Sequence, residues 1–393
     1  MKLKDVADLK SGFAFKSTEF RSEGIPLLRI GEISGDGKIV FTDKTVFVDK
    51  DCLSQKKEYI IKKNDVLLAL SGATTGKFGI YESENEAILN QRVLRIRSYE
   101  QFENKFLFYT MNQLKKKIEL TAAGAAQPNI SPKEISEFEI WMPNNETQQK
   151  IVAVLDQAQV LIDLKKQQLE LLQDLTQSIF DEMFGDPVTN PKGWETVKLE
   201  SCIQNIESGW SPTCENYPSE RDEWGVLKLS AVTGGNYTSS ENKALPLAIE
   251  PKKNKEVLIN DLLMTRKNTP ELVGDACYVF NTRQKLIFPD TVFRIRTLPK
   301  INGLFLWCLL SESKFSSIIK SLASGSAKSM SNISQTKLKH TVIILPPINR
   351  QNQFAEKIQA IEAQKTMMQD SLIHLENNYH SLMQRAFKGQ LYQ

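Results

Sequence analysis

A heptad pattern that occurs twice is the feature that most constrains the fold of this chain. Apolar side chains recur at alternating steps of four and three residues over 147–184, and the same frame returns 203 residues later over 350–387. This spacing is typical of a helix that packs against another helix along one stripe. The sequence therefore predicts two helices of 38 residues, each about 57 Å long at roughly 1.5 Å per residue.

The natural partner of each helix is the other copy, because one small domain does not need a helix of this length. The alternative is that each helix packs only on its own domain as an ordinary amphipathic helix. Lys165, Lys365 and Thr176 interrupt the stripe; such residues either fix the register of a helix pair or lie along the flank of the stripe. The predicted helix–helix seam consists of Ile151, Leu155, Ile162, Leu169, Leu172, Ile179, Phe354, Ile358, Ile361, Met368, Leu372 and Leu375.

The blocks that precede the two helices also resemble each other. Short apolar runs separated by Gly, Ser, Asn and Asp predict strands, a helical pattern covers 105–120, and Glu137–Trp141 is expected to be a last strand. The matched motifs indicate a tandem duplication of an α+β domain followed by a long helix. They pair Asn64-Asp-Val-Leu67 with Asn260-Asp-Leu-Leu263, Leu94-Arg-Ile-Arg97 with Phe293-Arg-Ile-Arg296, and Asn129-Ile-Ser131 with Asn332-Ile-Ser334. The predicted boundaries are 1–146, 147–185, 190–349 and 350–388.

Composition is that of an ordinary soluble protein, with 41% hydrophobic and 25% charged residues. No stretch reaches the length of a membrane span and no apolar leader opens the chain, so we expect a cytoplasmic protein without a membrane partner. Five scattered cysteines and three histidines favour neither a disulfide framework nor a zinc site. The net charge of +3 permits a nucleic-acid partner but does not demand one.

No catalytic motif is complete. Residues 71–77 resemble a phosphate-binding P-loop, but the glycine spacing is one residue short and Phe78 replaces the metal-binding hydroxyl. That loop can still approach phosphate, or it is a plain glycine turn. Asp290, Glu312 and Lys314 resemble the metal site of a nuclease, but Glu312 follows a helical segment instead of a strand beside Asp290. We therefore expect no catalytic residues, no metal and no cofactor in this chain.

In their order, the duplicated marks resemble the specificity subunit of type I restriction-modification enzymes. The marks are the Asn-Asp-Leu-Leu strand, the Asn-Ile-Ser segment before a strand that ends in Pro, the Gln-rich start of each helix, and the helix ends 178–184 and 381–387. The resemblance covers essentially the whole chain. It implies two target recognition domains, each reading half of a bipartite site in double-stranded DNA, joined by two helices packed as an antiparallel coiled coil with pseudo-two-fold symmetry.

The resemblance also implies partner subunits. Two methyltransferase subunits would join this chain, and restriction subunits would be added for cleavage; these partners would bind S-adenosylmethionine, ATP and Mg. The length of the helix pair would then set the unread spacer between the half-sites. Three alternatives stay open: the specificity subunit of another methyltransferase or nuclease complex, an enzyme in its own right, and a coiled-coil scaffold without a nucleic-acid partner.

The loops differ between the copies while the framework is shared, so recognition residues are expected in the loops. Phe13 and Trp210, in a duplicated Ser-Gly-aromatic element, are interpreted as core side chains and not as platforms for stacked bases. The predicted DNA contacts are Ser71, Thr74, Thr75, Lys77 and Gln127 in the first domain, and Arg266, Lys267, Asn268, Lys328 and Ser329 in the second.

Overall fold

The computed structural model describes residues 1–72, 74–123, 129–324 and 330–391. Two sets of α+β elements follow one another, and each is succeeded by a helix of 40 residues. The chain divides into two units, one formed by Met1–Lys165 with Ser371–Gln393 and the other by Lys166–Asp370. Each unit therefore contains one α+β head and part of each long helix. We call residues 1–144 the first head and residues 185–347 the second head.

The first head consists of short strands and three helices: β1 (Ala7–Ser11), β2 (Ile25–Leu28), β3 (Phe47–Val48), α1 (Cys52–Gln55), β4 (Ile60–Ile61), β5 (Val66–Ala69), β6 (Phe78–Ile80), β7 (Ala87–Leu89), β8 (Val93–Ser98), α2 (Asn104–Ala123) and α3 (Pro132–Ser136). One sheet has the order β1-β8-β5-β6 and is antiparallel throughout. The other has the order β3-β2-β7-β4, with β2 parallel to β7. All four residues of strand β5 are buried, and accordingly all four are apolar.

The second head repeats this plan: β9 (Thr196–Lys198), β10 (Ile203–Ser208), β11 (Gly225–Leu227), β12 (Asn242–Ala244), β13 (Leu262–Thr265), β14 (Lys267–Asn268), β15 (Ala276–Tyr278), β16 (Leu286–Ile287), β17 (Val292–Thr297), α5 (Gly303–Ser311), α6 (Ser313–Ser321), β18 (Ser331–Asn332), α7 (Gln335–Lys339) and β19 (Val342–Ile344). The order β10-β17-β13-β15 reproduces the first sheet of the other head. The order β12-β11-β16, with β11 parallel to β16, reproduces most of its second sheet.

The duplicated Asn-Asp and Arg-Ile-Arg motifs belong to the framework of each head. Asn64 and its counterpart in the second head have φ angles of 67° and 71°, a backbone conformation that Asn adopts more readily than most residues. Asp65 is fully buried and accepts two hydrogen bonds of 2.6 Å from Arg97. In the second head, Asp261 accepts a hydrogen bond of 3.1 Å from the buried Arg294. Each motif pair therefore ties the turn before the central strand to the neighbouring strand.

The two long helices are α4 (Asn145–Phe184) and α8 (Ile348–Phe387), each two residues longer than the heptad pattern predicts. Gly185 ends α4 with a φ of +75°, the left-handed conformation that glycine adopts without strain at a helix C-terminus. Its amide donates 2.9 Å to the carbonyl of Asp181. No helix in the described part of the chain is long and apolar enough to cross a membrane.

A buried glutamine joins the first turn of each long helix to its head. The side chain of Gln148 donates 2.7 Å to the carbonyl of Pro143 and accepts 2.9 Å from the amide of Glu103. Gln351 makes the same pair of bonds in the second unit, donating 2.7 Å to a carbonyl and accepting 2.8 Å from a head amide. Both side chains are fully buried, so the Gln-rich helix start is a structural joint.

Within the first unit, the start of α4 packs beside the end of α8. Ile151 and Leu155 form a buried cluster with Met383 and with Phe106 of α2. Phe387 stacks on Phe106 with ring centroids 5.2 Å apart. The end of α8 therefore completes the core between α4 and the first head.

Within the second unit, the end of α4 packs beside the start of α8. The ring of Phe184 lies 4.8 Å from Phe305 of α5 and 5.3 Å from Phe354 of α8. Phe180 stacks on Phe305 at 5.9 Å. In both units the beginning of one long helix meets the end of the other, which is the arrangement of an antiparallel pair.

The predicted seam side chains are not buried equally. Lys365, which interrupts the stripe, lies 2.7 Å from Glu362, and the hydroxyl of Thr176 donates 3.3 Å to the carbonyl of Leu172. The seam positions in the first half of each long helix are almost fully enclosed, whereas those in the second half are about half-buried. The buried set is Ile151, Leu155, Ile162, Phe354, Ile358 and Ile361, and the half-buried set is Leu169, Leu172, Ile179, Met368, Leu372 and Leu375.

The prediction that the first head ends in a strand at Glu137–Trp141 is wrong. Glu137–Trp141 forms only an isolated bridge between Glu139 and Lys2, with hydrogen bonds at 2.8 and 2.9 Å on either side. Its counterpart β19 pairs with β9 over three residues.

Candidate nucleic-acid interface

The loops that differ most between the heads are held by the same backbone frame. In the first head, the amides of Gly12 and Phe13 donate to the carbonyls of Val93 and Leu89 at 3.2 and 2.9 Å. The amide of Leu70 donates 2.9 Å to the carbonyl of Arg92, and the amide of Ile130 donates 2.9 Å to that of Leu70. These bonds join the segments after β1, after β5, between β7 and β8, and before α3.

The second head has four matching bonds. Gly209 and Trp210 donate to Val292 and Phe288 at 3.3 and 2.9 Å, and the amide of Arg266 donates 2.8 Å to the carbonyl of Thr291. The remaining bond joins Ile333 to the carbonyl of residue 266 at 2.9 Å. We call the surface built on this frame the turn face: residues 11–14, 70–72, 90–92 and 129–130 in the first head, and 208–211, 266–268, 289–291 and 331–333 in the second.

Glycine is required at one point of each turn face. A Cβ on Gly12 would overlap the carbonyl oxygens of Leu89 and Asn90, and a Cβ on Gly209 would overlap those of Phe288 and Pro289. The Ser-Gly-aromatic element therefore crosses the β7–β8 turn, or its counterpart β16–β17, in direct contact with its backbone. This contact makes each turn face a rigid support for the side chains that it carries.

A lysine side chain lies over the aromatic ring of that element in both heads. The Nζ of Lys56 lies 4.7 Å from the ring centre of Phe13, and the Nζ of Lys252 lies 4.8 Å from that of Trp210. Both rings are half-buried. Phe13 also packs edge-on against Phe15 at 5.1 Å. These rings therefore lie at the margin of the core and hold a positive charge beside each turn face.

The exposed side chains of the two turn faces differ. The β7–β8 turn presents Gln91 and Arg92, which are both exposed. At the matching positions the second head has Asp290 and Thr291, which are half-buried. The same backbone frame thus presents a cation and an amide in one head, and a carboxylate and a hydroxyl in the other.

Two contacts hold the carboxylate of Asp290. The hydroxyl of Ser211 donates a hydrogen bond of 2.6 Å to Oδ1, and its oxygen at the same time accepts one of 2.9 Å from the backbone amide of Asp290. Lys267 lies 3.7 Å from Oδ2. Two polar partners therefore orient the carboxylate while 45% of its side chain stays exposed.

The predicted DNA contacts of the first head separate into two groups. Ser71 lies on the turn face and forms a β-bridge with Asn129. The hydroxyl of Thr74 donates 3.4 Å to the carbonyl of Ile30. Thr75 and Lys77 instead line a cavity between the head and the long helices of the same unit. The structure thus places one predicted residue on the turn face and directs two of the others to a different surface.

That cavity, of about 650 Å³, has a polar wall from the helices. Asp156 of α4 accepts 2.6 Å from the hydroxyl of Tyr109 and 2.7 Å from Lys105. Burial raises the pKa of Tyr109, and the hydrogen bond to Asp156 raises it further. Lys38 lies 3.7 Å from Asp163. These contacts fasten the head to α4, so we assign them a structural role.

In the second head, the described candidates differ in how they are engaged. Arg266 is half-buried and bonded within the turn face, where it donates a hydrogen bond of 3.0 Å to the hydroxyl of Ser208 and lies 5.2 Å from the ring centre of Phe293. Asn268 is buried in the β14–β18 ladder. Lys267 remains on the turn face beside Asp290. Gln127, Lys328 and Ser329 lie outside the described residues.

The residues that resemble a nuclease site in sequence are engaged in separate contacts. Glu312 is buried and caps α6 by accepting 2.8 Å from the amide of Phe315. Lys314 pairs with Asp186 at 2.5 Å. Asp290 lies on the turn face. The sequence motifs grouped Asp290 with Glu312 and Lys314 and did not single out Arg92. Asp290 occupies the repeat position of Gln91, and Arg92 that of Thr291, so the difference between the two copies at this turn was the available signal.

A comparison with protein-family models matches residues 1–174 and 191–377 to the Type I restriction modification DNA specificity domain. The specificity subunit of the type I restriction enzyme EcoEI from Escherichia coli is 33% identical over 207 residues, which are 52% of this chain and 34% of that protein. The EcoKI specificity subunit from Escherichia coli K12 is 23% identical over 415 residues, covering 98% of this chain and 87% of that protein. The chain thus spans about a third of the EcoEI subunit and most of the EcoKI subunit.

Solved structures show the same fold. The S subunit of a type I restriction-modification system from M. genitalium aligns with a TM-score of 0.59 at 13% identity, covering 98% of this chain and 95% of that one. A chain from a structural study of complex assembly and conformational transition in the type I R-M system aligns with a TM-score of 0.54 at 19% identity, covering 100% and 97%.

Proposed function

Because the chain belongs to the type I restriction-modification DNA specificity family, we propose that it is the DNA-recognition subunit of a type I restriction-modification complex. Each head reads one half of a bipartite site in double-stranded DNA. The observation that carries this proposal is the duplicated turn face, in which four matching hydrogen bonds hold different exposed side chains. A shared frame with different side chains is what two readers of two different half-sites require.

The charges on the turn faces support contact with DNA. Lys56 and Lys252 lie at matching positions in the two heads, each over an aromatic ring. Lysines at matching positions suit the phosphate backbone, which is the same at every sequence, while the variable turn residues suit base edges. Ser71, Thr74, Thr75, Lys77, Gln127, Arg266, Lys267, Asn268, Lys328 and Ser329 stay predictions as DNA contacts; Ser71 and Lys267 are the two that the turn-face geometry favours.

The partners are two methyltransferase subunits, with restriction subunits added for cleavage. They supply the binding of S-adenosylmethionine, ATP and Mg, and this chain acts in the cytoplasm without catalysing a reaction itself. One support for a protein partner is the exposed apolar surface of α4. Leu161 and Leu164 are 54% and 50% exposed, and farther along the helix Leu171 and Leu175 are 59% and 43% exposed. Large apolar side chains left in water at helical spacing are typical of a surface that another helix covers.

The proposal is tested by selecting duplexes from a random DNA library with the purified full-length chain. Two enriched half-sites separated by a fixed, unspecified spacer are expected. Binding to the selected duplex should weaken steeply between 50 and 200 mM salt, on the order of 10³-fold or more if several phosphates are contacted. A coiled-coil scaffold would enrich no sequence, and that result would refute the proposal.

A second assay separates a recognition subunit from an enzyme. The purified chain is incubated with the selected duplex, S-adenosylmethionine, ATP and Mg. No methyl transfer and no cleavage are expected until methyltransferase and restriction subunits are added. Turnover by the chain alone would show that it carries its own catalytic site.

A further inference from the structure

We infer that the β7–β8 turn and its counterpart β16–β17 determine base specificity: Arg92 reads a guanine in one half-site, and Asp290 reads a cytosine in the other. The inference rests on the proposed function and names the residues that carry it out. It assigns base reading to a turn, whereas the sequence pointed to the loop after β5 or β13 and to the loops that contain Gln127, Lys328 and Ser329.

The first step of the argument is that the turn is fixed in position. The Ser-Gly-aromatic element, the residue after β5 and the turn are joined by the same bonds in both heads. Gly12 and Gly209 permit no side chain at the crossing point. A base-reading side chain must be held in a defined place to discriminate between bases, and a turn supported on two sides provides that.

The second step concerns Arg92. Its side chain is exposed, and within the described residues no hydrogen bond or ion pair engages its guanidinium. By contrast, Arg95 and Arg97, on the adjacent strand, pair with Asp8 and Asp65 at 2.7 and 2.6 Å. An arginine left without a protein partner, on a rigid turn, is available for the O6 and N7 acceptors of guanine, which match its planar donor pair.

The third step concerns Asp290, which occupies the position of Gln91 in the second head. A carboxylate near phosphates is electrostatically unfavourable unless a cation offsets its charge, and Lys267 lies 3.7 Å away. Ser211 donates to one oxygen of the carboxylate and thereby orients it. Carboxylates in a major groove accept from the N4 amine of cytosine, the donor that cytosine presents there.

The fourth step concerns the lysines beside the turns. Lys56 and Lys252 occupy matching positions, whereas the turn residues do not match in charge. The division between a constant cation and a variable reader corresponds to the division between contacts that position DNA and contacts that specify its sequence. The turn is therefore the element that differs where the two half-sites must differ.

The experiment selects duplexes from a random library with the full-length wild type, Arg92→Ala and Asp290→Asn. Arg92→Ala keeps the backbone bond from Leu70 and should abolish a guanine preference of about 5- to 150-fold at one position of one half-site. Asp290→Asn keeps an acceptor for Ser211 but adds an amide donor, so the preferred base at one position of the other half-site should change from cytosine to adenine.

Matched controls separate reading from charge and folding. Arg21→Ala removes an exposed arginine from the first head, and Asp222→Asn removes an exposed carboxylate from the second. Both controls should select the wild-type sequence. Thermal unfolding of all variants shows whether each one folds, and a folded Arg92→Ala or Asp290→Asn that still selects the wild-type bases overturns the inference.

The outcomes distinguish this inference from the proposed function. If the wild type enriches a bipartite site and neither turn variant alters it, the chain reads DNA through other residues. If both half-sites change in one variant, the turn has a structural role, and base reading by that residue is excluded. If the wild type enriches no sequence, the proposed function itself fails.

Discussion

The phenylalanine that ends the first long helix should be a principal stability determinant of the second unit. Phe184 is fully buried, and its ring lies within 4.8–5.3 Å of Phe305, Phe354 and Phe180. Truncation to alanine removes the side chain that joins α4, α8 and α5. Because the three neighbouring rings come from rigid helices, the space left behind cannot close easily.

The expected cost of Phe184→Ala is about 3–5 kcal/mol, the range for a fully buried phenylalanine replaced by alanine. A unit of this size should lose roughly 2–4 °C of melting temperature per kcal/mol, so its transition should fall by about 6–20 °C. The matched control is Phe387→Ala at the repeat position of the first unit. Phe387 is only half-buried, so its loss should cost less and should affect the other unit.

Tryptophan fluorescence measures this effect selectively. Of the five tryptophans, Trp141 lies in the first unit and the other four lie in the second. Phe184→Ala should therefore shift the fluorescence transition, and calorimetry should show the remaining transition near its wild-type temperature. A shift below about 2 °C, or an equal shift for Phe184→Ala and Phe387→Ala, would refute the reasoning.

Three further outcomes are expected. Asp261→Ala removes one of the two carboxylates that pair with the buried guanidinium of Arg294, the other being Glu207 at 2.8 Å, and should cost about 1–3 kcal/mol in chemical denaturation. An exposed-site control such as Asp222→Ala should cost within about 0.5 kcal/mol. Hydrogen bonds and charge from Lys2 and Lys4 lower the pKa of Glu137 to about 2. A lowered pKa stabilises the folded state at pH values above the ordinary pKa of 4.5, and this stabilisation is lost as the pH falls toward 2. The difference in melting temperature between wild type and Glu137→Gln should therefore be present at pH 6 and absent near pH 2. Deleting one matched heptad from both long helices should shorten the unread spacer of the DNA site by up to about three base pairs, since a heptad spans roughly 10 Å, and an unchanged spacer would show that the helices do not set it.

The long helices could be predicted from the sequence because their pattern is strong and local. An apolar stripe over 38 residues leaves few alternatives, and the structure extends it by only two residues at the N-terminal end of each helix. The α+β fold and the tandem duplication are confirmed for the same reason: Asn-Asp turns and Arg-Ile-Arg strands form their contacts within each copy. The extent of β pairing was not predictable, because the pairing of Glu137–Trp141 consists of backbone hydrogen bonds to Met1 and Leu3, which are distant in sequence.

The candidate site was predicted less well, since base-reading residues leave no periodic pattern. Arg266 has the side chain of a DNA contact, yet its guanidinium is half-buried and engaged by Ser208 and Phe293. Thr75 and Lys77 line a cavity toward the helices instead of the turn face. The sequence around Arg92 did not mark it as a DNA contact, because its position depends on hydrogen bonds between segments that are distant in sequence.

The division of the chain into units has a consequence for synthesis. The second unit is one continuous stretch, Lys166–Asp370, whereas the first unit is completed only by Ser371–Gln393. A ribosome therefore releases everything the second unit needs while the first head still lacks Met383 and Phe387, which cover Phe106 and Ile151. The head made first is finished last, so during translation its apolar groove stays open to water, to chaperones and to the matching helix of another nascent copy.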